Sequence, residues 1–293
     1  MPSQESQLPK HRRVALVLSS GGARGYAHIG AIEALEAAGY EITSVAGASM
    51  GALVGGLYCT GQLDKFREWA ENLTMAKILS LYDPSVSFSH IMKGERIINA
   101  LASIIPDQRI EGLRIPFCAI ATDLLHQQEV VIDRGSLYAA IRASIAIPTY
   151  YSPLRTKDML LVDGGITNPL PLNRVRRTEG DLLVAVNVSA PADEGINEKR
   201  QRAISRHRNT LPLLLKKIMP HTDGKTLNYY SLITRTINTQ IQRNTALSLR
   251  LTPPDVLVSI PMNRFDGADY DHAEKIIREG RTRMRAALKA FQG

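Results

Sequence analysis

Val14-Ala15-Leu16-Val17-Leu18-Ser19-Ser20-Gly21-Gly22-Ala23-Arg24-Gly25 opens with five apolar residues in a row and ends in a glycine-rich loop. An unbroken apolar run of that length fits a strand buried on both faces, as in a parallel sheet covered by helices. Residues 26–38 follow with Ile29, Ile32 and Leu35 at helical spacing, and Gly39 stands where a helix ends. Residues 42–46 then read as a second buried strand, Gly47-Ala48-Ser49-Met50-Gly51 as a turn, and residues 52–59 as a second apolar helix. Two β-turn-α units in succession imply an α/β fold, a mostly parallel central sheet with helices on both faces.

Further along, residues 61–112 read as mainly helical and amphipathic. Strand patterns return at 117–121, 129–132, 159–162 and 182–188, with a helix at 135–144 stopped before Pro148. Residues 190–245 turn polar and basic, 255–260 form a last strand, and 270–291 a charged closing helix. We therefore expect a polar arm (1–13), a core (14–190), a basic helical insertion (191–250) and a C-terminal strand and helix (251–293) completing the same domain.

The 293 residues suffice for one large domain, and 44% hydrophobic content excludes a disordered chain. Lysine and arginine total 36 against 28 acidic residues, a net charge of +8, which favours anionic partners. Nucleic acid is not the expected one: aromatics are only 5%, and neither zinc-ligand spacing nor a recognition helix is present. Cys59 and Cys118 read as two buried thiols, not a disulfide framework. Residues 1–13 lack the apolar core of a signal peptide, and no stretch approaches the ~20 apolar residues of a membrane span. A cytoplasmic location, at most peripheral to a membrane, is the expectation.

Three motifs carry chemistry. Gly47-Ala48-Ser49-Met50-Gly51 is a G-x-S-x-G between strand and helix, where a sharp turn exposes a serine hydroxyl and leaves no room for flanking side chains. An ordinary βα turn with a capping serine would share that pattern. The loop Gly21-Gly22-Ala23-Arg24-Gly25 lies before a helix, where unpaired N–H groups suit a phosphate or an oxyanion. A dinucleotide site is disfavoured, because Ser20 replaces the first glycine and no acidic ribose binder ends the second strand. Asp163-Gly164-Gly165 follows a short apolar strand, so Asp163 is placed either for a simple turn or as a base for Ser49. Among the histidines, His28 falls on the first helix, where packing or capping suits it, and His272 could complete a Ser-Asp-His order. An α/β-hydrolase, however, places its serine elbow after several strands, whereas Ser49 follows only the second.

Those three motifs in that order resemble the patatin-like phospholipases, lipid acyl hydrolases with a Ser-Asp dyad. The family pattern G-G-G-x-R-G, G-x-S-x-G and D-G-G/A is similar to Ser20–Gly25, Gly47–Gly51 and Asp163–Gly165 here, with Ser20 departing from the first glycine. Ala121-Thr122-Asp123-Leu124 and Arg142-Ala143-Ser144-Ile145-Ala146-Ile147-Pro148 match as well, and the resemblance covers roughly residues 14–190. It implies a three-layer sandwich that hydrolyses carboxylic esters of glycerolipids or lysophospholipids. Ser49 would be the nucleophile, Asp163 the general base, and the N–H groups of Gly21, Gly22, Ala23 and Met50 the oxyanion hole. Ser20, Arg24, Gly25, Gly47, Gly51, Gly164 and Gly165 would support these, Arg24 either bracing the loop or meeting a phosphate. No metal and no cofactor is implied. Residues 199–219, basic and leucine-rich, would lie on an anionic membrane or form a homodimer contact. The competing reading is a non-catalytic regulatory or lipid-binding protein on the same fold.

Overall fold

The computed structural model describes residues 13–81, 83, 90–196 and 229–292. Residues 199–219 and most of the N-terminal arm lie outside the described residues. In chain order the strands are β1 (Arg13–Leu18), β2 (Glu41–Ala48), β3 (His90–Met92), β4 (Phe117–Asp123) and β5 (Gln128–Ile132). They continue as β6 (Thr149–Tyr151), β7 (Leu154–Arg155), β8 (Leu160–Asp163), β9 (Leu182–Ala190) and β10 (Val256–Pro261). The helices are α1 (Ala27–Ala37), α2 (Met50–Cys59), α3 (Leu63–Glu71), α4 (Met75–Ser80), α5 (Glu95–Ala102), α6 (Leu137–Ser144), α7 (Tyr229–Leu251) and α8 (Ala273–Gln292).

Eight strands form one sheet in the order β10-β9-β1-β2-β4-β8-β7, with β5 also on β4. From β10 to β4 every pairing is parallel, which makes the sheet mostly parallel as its apolar runs imply. Burial explains the alternation inside those runs. Val14, Leu16 and Leu18 enter the large core under α1, α2 and α8, while Ala15 and Val17 face Leu170, Leu172 and Leu183, with Leu249 of α7 packed alongside. Both faces of β1 are thus covered. The C-terminal strand and helix join this assembly directly, β10 pairing with β9 and α8 lying against α1.

The sheet changes character at β4. Its first four residues, Phe117 to Ile120, pair with β2; its last three, Ala121 to Asp123, pair in antiparallel fashion with β8. Ala119 to Asp123 also pair with β5, which must therefore take the opposite edge. On one edge of β4, then, β2 and β8 arrive from opposite directions, and their carboxyl ends meet beside Ile120 and Ala121.

Several elements differ from the sequence expectation. The first helix begins as a 3-10 turn over Gly22–Tyr26, so α1 starts only at Ala27. Residues 61–112 hold β3 as well as three α-helices, and β3 pairs with β6 in a separate two-stranded sheet. Strands of two or three residues such as β6 and β7 are too short to show a period. Both cysteines are buried free thiols, and burial pushes the Cys118 thiol up to about 12. Among the described residues no helix is long and apolar enough to cross a membrane.

Helices α1 and α8 cross at backbone contact. A Cβ on Gly30 would lie 1.9 Å from the Ile277 carbonyl oxygen, and one on Gly280 would lie 1.9 Å from that of Ala27. Gly30→Ala or Gly280→Ala must therefore force the helices apart, and each should destabilise the protein by about 1–3 kcal/mol. Thermal unfolding followed by circular dichroism checks this. Gly112→Ala, where an added Cβ meets nothing within 4 Å, should leave the midpoint unchanged.

Candidate active site

The end-to-end meeting of β2 and β8 places Ser49 and Asp163 together. Ser49 follows β2 in the left-handed half of conformational space, with φ 53° and ψ −124°, strain worth about 1–3 kcal/mol for a residue with a side chain. Two hydrogen bonds in series hold it there: the Ser49 N–H donates to Ser144 Oγ at 2.8 Å, and the Ser144 hydroxyl donates to the Ile120 carbonyl at 2.6 Å. Close packing does the rest. An added Cβ would stand 2.4 Å from the Gly51 oxygen at Gly47, and 2.2 Å from the Leu18 oxygen at Gly51.

The Ser49 hydroxyl donates to Asp163 Oδ2 at 2.6 Å, and both residues are about 5% exposed or less. The other carboxylate oxygen accepts the Gly165 N–H at 2.7 Å. The Asp163 backbone is fixed on both sides, its N–H donating to the Ala146 carbonyl and its carbonyl accepting the Thr122 hydroxyl. Gly164 presses on the Ile120 carbonyl, which an added Cβ would approach to 2.1 Å. Burial disfavours the ionised carboxylate and pushes Asp163 up from 3.8 to about 6, while the Ser49 and Gly165 hydrogen bonds pull the other way. Such a group is ionised at neutral pH and still basic enough to accept a proton.

The glycine loop packs against this pair. Gly25 lies on the Met50 side chain, where an added Cβ would come within 2.3 Å of Cγ. Gly22 takes φ +57°, and both Gly22 and Met50 begin helical turns, so no carbonyl lies one turn back for their N–H groups. Gly21 precedes them with extended φ 172°. Ala23 differs from the expectation: its N–H donates to the Gly267 carbonyl at 2.8 Å, so that donor is committed to the loop after β10. Arg24 is buried and braces the loop, Nε donating to the Gly21 carbonyl and Nη1 to that of Met262, both at 3.0 Å. It does not stand open to a phosphate.

Ser20 keeps the turn that glycine would make. It is not among the residues of positive φ, its N–H donates to the Pro169 carbonyl, and its own carbonyl accepts the Ser189 hydroxyl at 2.9 Å. Its side chain fits against Gly165, where an added Cβ would lie 2.9 Å from Ser20 Oγ. Glycine at 165 thus makes room for serine at 20.

The histidine alternative has no geometric support. His272 Nδ1 lies 3.0 Å from Asp271 Oδ1, and the hydroxyl of Ser49 is given to Asp163 instead. His28 is fully buried with Nε2 on the Ser19 carbonyl, and burial lowers it to about 4, which keeps it neutral. Sequence reasoning passed over Ser144 and Thr122 as working residues. Both lie inside stretches that the family resemblance had already marked, 121–124 and 142–148, and that was the available signal.

Comparison with known proteins shows the family. An uncharacterized NTE family protein of Mycobacterium tuberculosis is 51% identical over 177 residues, 60% of this chain and 49% of that protein. Neuropathy target esterase sws of Drosophila melanogaster is 34% identical over 187 residues, 61% of this chain and 13% of the fly protein. Human patatin-like phospholipase domain-containing protein 6 is 34% identical over 186 residues, again 60% of this chain and 13% of the relative. The chain thus spans about half of the mycobacterial relative and about an eighth of the animal ones. The patatin-like phospholipase family model matches residues 16–175, more than half the chain and the stretch that holds Ser49, Asp163 and the glycine loop, so the chain belongs to the patatin-like phospholipase family.

Proposed function

We propose that the protein is a serine acyl hydrolase that cleaves carboxylic ester bonds of glycerolipids or lysophospholipids through a Ser49–Asp163 dyad. The observation that carries this reading is the 2.6 Å hydrogen bond from a strained, buried serine hydroxyl to a carboxylate of raised pKa. Membership of a phospholipase family and the esterase name of a relative support lipid esters as the substrate class.

In this mechanism Ser49 Oγ attacks the ester carbonyl while Asp163 Oδ2 accepts its proton. The carbonyl oxygen becomes an oxyanion, stabilised by the N–H groups of Gly21, Gly22 and Met50, each donor being worth about 3 kcal/mol. Asp163 then returns the proton to the departing alcohol and leaves an acyl-Ser49. Water attacks that ester with Asp163 again as base, releasing the fatty acid and restoring the hydroxyl. Arg24 acts on the oxyanion only through the Gly21 carbonyl, whose position it holds.

Turnover of a short p-nitrophenyl ester tests the reading. Wild type should be active, and Ser49→Ala and Asp163→Asn should each lose about a thousandfold or more in kcat. If Asp163→Asn keeps its rate, the dyad is wrong; if folded wild type is inert on every ester, the non-catalytic lipid-binding reading replaces this one.

Acidity should act through the same carboxylate. The base form is the active one, so kcat/KM should be flat above pH 7 and fall about tenfold per pH unit once below about 6, as Asp163 takes up a proton. A pH–rate profile on an uncharged ester measures this.

Stability should move the other way. Raised from 3.8 to about 6, Asp163 binds its proton more tightly folded than unfolded, so ionisation costs the folded state as pH rises through that window. The cost is absent below about pH 4 and approaches about 3 kcal/mol above 7. Asp163→Asn, which keeps an acceptor for the Gly165 N–H, should therefore be inactive yet more stable than wild type at pH 8, and no more stable at pH 4. Urea unfolding at the two pH values decides it.

A further inference from the structure

Strand β4 does not stop at the level of Ser49 and Asp163. It runs on through Thr122 and Asp123, then turns through residues 124–127 into β5. The turn between β7 and β8 lies beside it: the Leu124 N–H donates to the Leu160 carbonyl at 2.9 Å, and the Leu160 N–H donates to Asp123 Oδ1 at 3.1 Å. Two hairpin tips therefore stand together at the end of the sheet that carries the dyad, and Leu124 and Leu125 lie three and four residues past Ala121. The extended part of that path, Ala121 to Asp123, advances about 7 Å at about 3.3 Å per residue, and the turn stands beyond it.

This platform is tied by hydrogen bonds within each turn, and its apolar part faces water. The buried Asp123 carboxylate accepts from the Leu125 N–H and contacts His126 Nδ1 at 2.5 Å, closing the first turn. Two bonds between Thr156 and Met159 close the second. Gln127 is held at φ 55°, a strained conformation for a residue with a side chain. On this frame Leu124 is 43% and Leu125 54% exposed. Arg155 and Lys157 are exposed on the neighbouring tip, accompanied by the single carboxylate of Asp158, and no ion pair engages either cation among the described residues. Adjacent leucines fixed in an outward position, with cations beside them, match a surface that is apolar inside and anionic outside.

We propose that the paired tips, through Leu124 and Leu125 with Arg155 and Lys157, dock the protein on an anionic lipid bilayer. Interfacial elements bury about 5–10 Å into the headgroup and acyl boundary, a depth that suits a turn carrying two exposed leucines. The purpose of this docking rests on the acyl hydrolase reading, but its detection does not.

The experiment is co-sedimentation of the full chain with phosphatidylcholine vesicles, with and without phosphatidylserine, alongside turnover of a soluble short ester. Leu124→Ser/Leu125→Ser should weaken binding to both vesicles about tenfold or more. Arg155→Gln/Lys157→Gln should abolish most of the phosphatidylserine preference, about tenfold. Neither pair should change soluble-ester turnover, which also shows that the variants fold. Wild type that stays in the supernatant overturns the proposal. So do variants that sediment like wild type, an outcome that places membrane contact elsewhere on the chain, and a dimer that the leucine variant alone dissolves, which makes this face a contact with a second copy. If wild type binds through the tips but turns over no ester, the hydrolase reading fails while the docking surface stands.

Discussion

Everything at the site depends on one edge of one strand. Because β2 is parallel to β4 and β8 antiparallel, strands that share an edge of β4 must meet with their carboxyl ends together. A serine just past the first strand and an aspartate at the tip of the second are then neighbours, although 114 residues separate them. Neither strand could be shifted by one residue without turning its core side chains to the wrong face, so packing far from the site sets the distance within it. The Ile120 carbonyl sits at the junction. It accepts the Ser144 hydroxyl that holds Ser49, and Gly164 packs closely on it.

That arrangement works against folding in two places, and the surroundings show how each is sustained. The Ser49 turn is strained, and it persists because its N–H has a hydroxyl partner and because glycines at 47 and 51 let β1, β2 and α2 close to backbone contact. Asp163 is buried, and among the described residues no cation pairs with it; its carboxylate oxygens accept the Gly165 N–H and the Ser49 hydroxyl. A lysine or arginine partner would lower its pKa and weaken it as a base. Burial with two neutral donors leaves it near neutrality instead, where a proton can both arrive and leave.

Much of this is legible in the residues. The apolar runs of β1, β2 and β9 are continuous because central parallel strands are covered on both faces, and the glycine loop and serine elbow stand directly behind two of them. The aspartate is legible as a residue at the end of a strand. Its pairing with Ser49 comes from the order of the motifs and the family resemblance; no local pattern encodes the end-to-end meeting on β4 that brings the two together, because that is a matter of strand order. The same holds for the Ala23 N–H: a helix start in sequence predicts an unpaired donor, whereas the Gly267 carbonyl that takes it up lies more than 240 residues away. Ser144 and Thr122 act through hydroxyls on carbonyls of other elements, which spacing alone does not reveal.

The bracing of the glycine loop shows why the chain beyond residue 175, where the family match ends, belongs to the site. Arg24 reaches the Met262 carbonyl and the Ser189 hydroxyl, Ala23 donates to Gly267, and an added Cβ on Gly22 would strike the Gly267 oxygen at 2.5 Å. The loop is thus clamped between the end of β9 and the segment after β10. Removing the C-terminal strand and helix would uncover the α1 face and also release Gly21, Gly22 and Arg24 from the partners that set their positions. In the mechanism proposed above the oxyanion donors must be fixed before the charge develops, so losing those braces would remove preorganisation even where Ser49 and Asp163 still met.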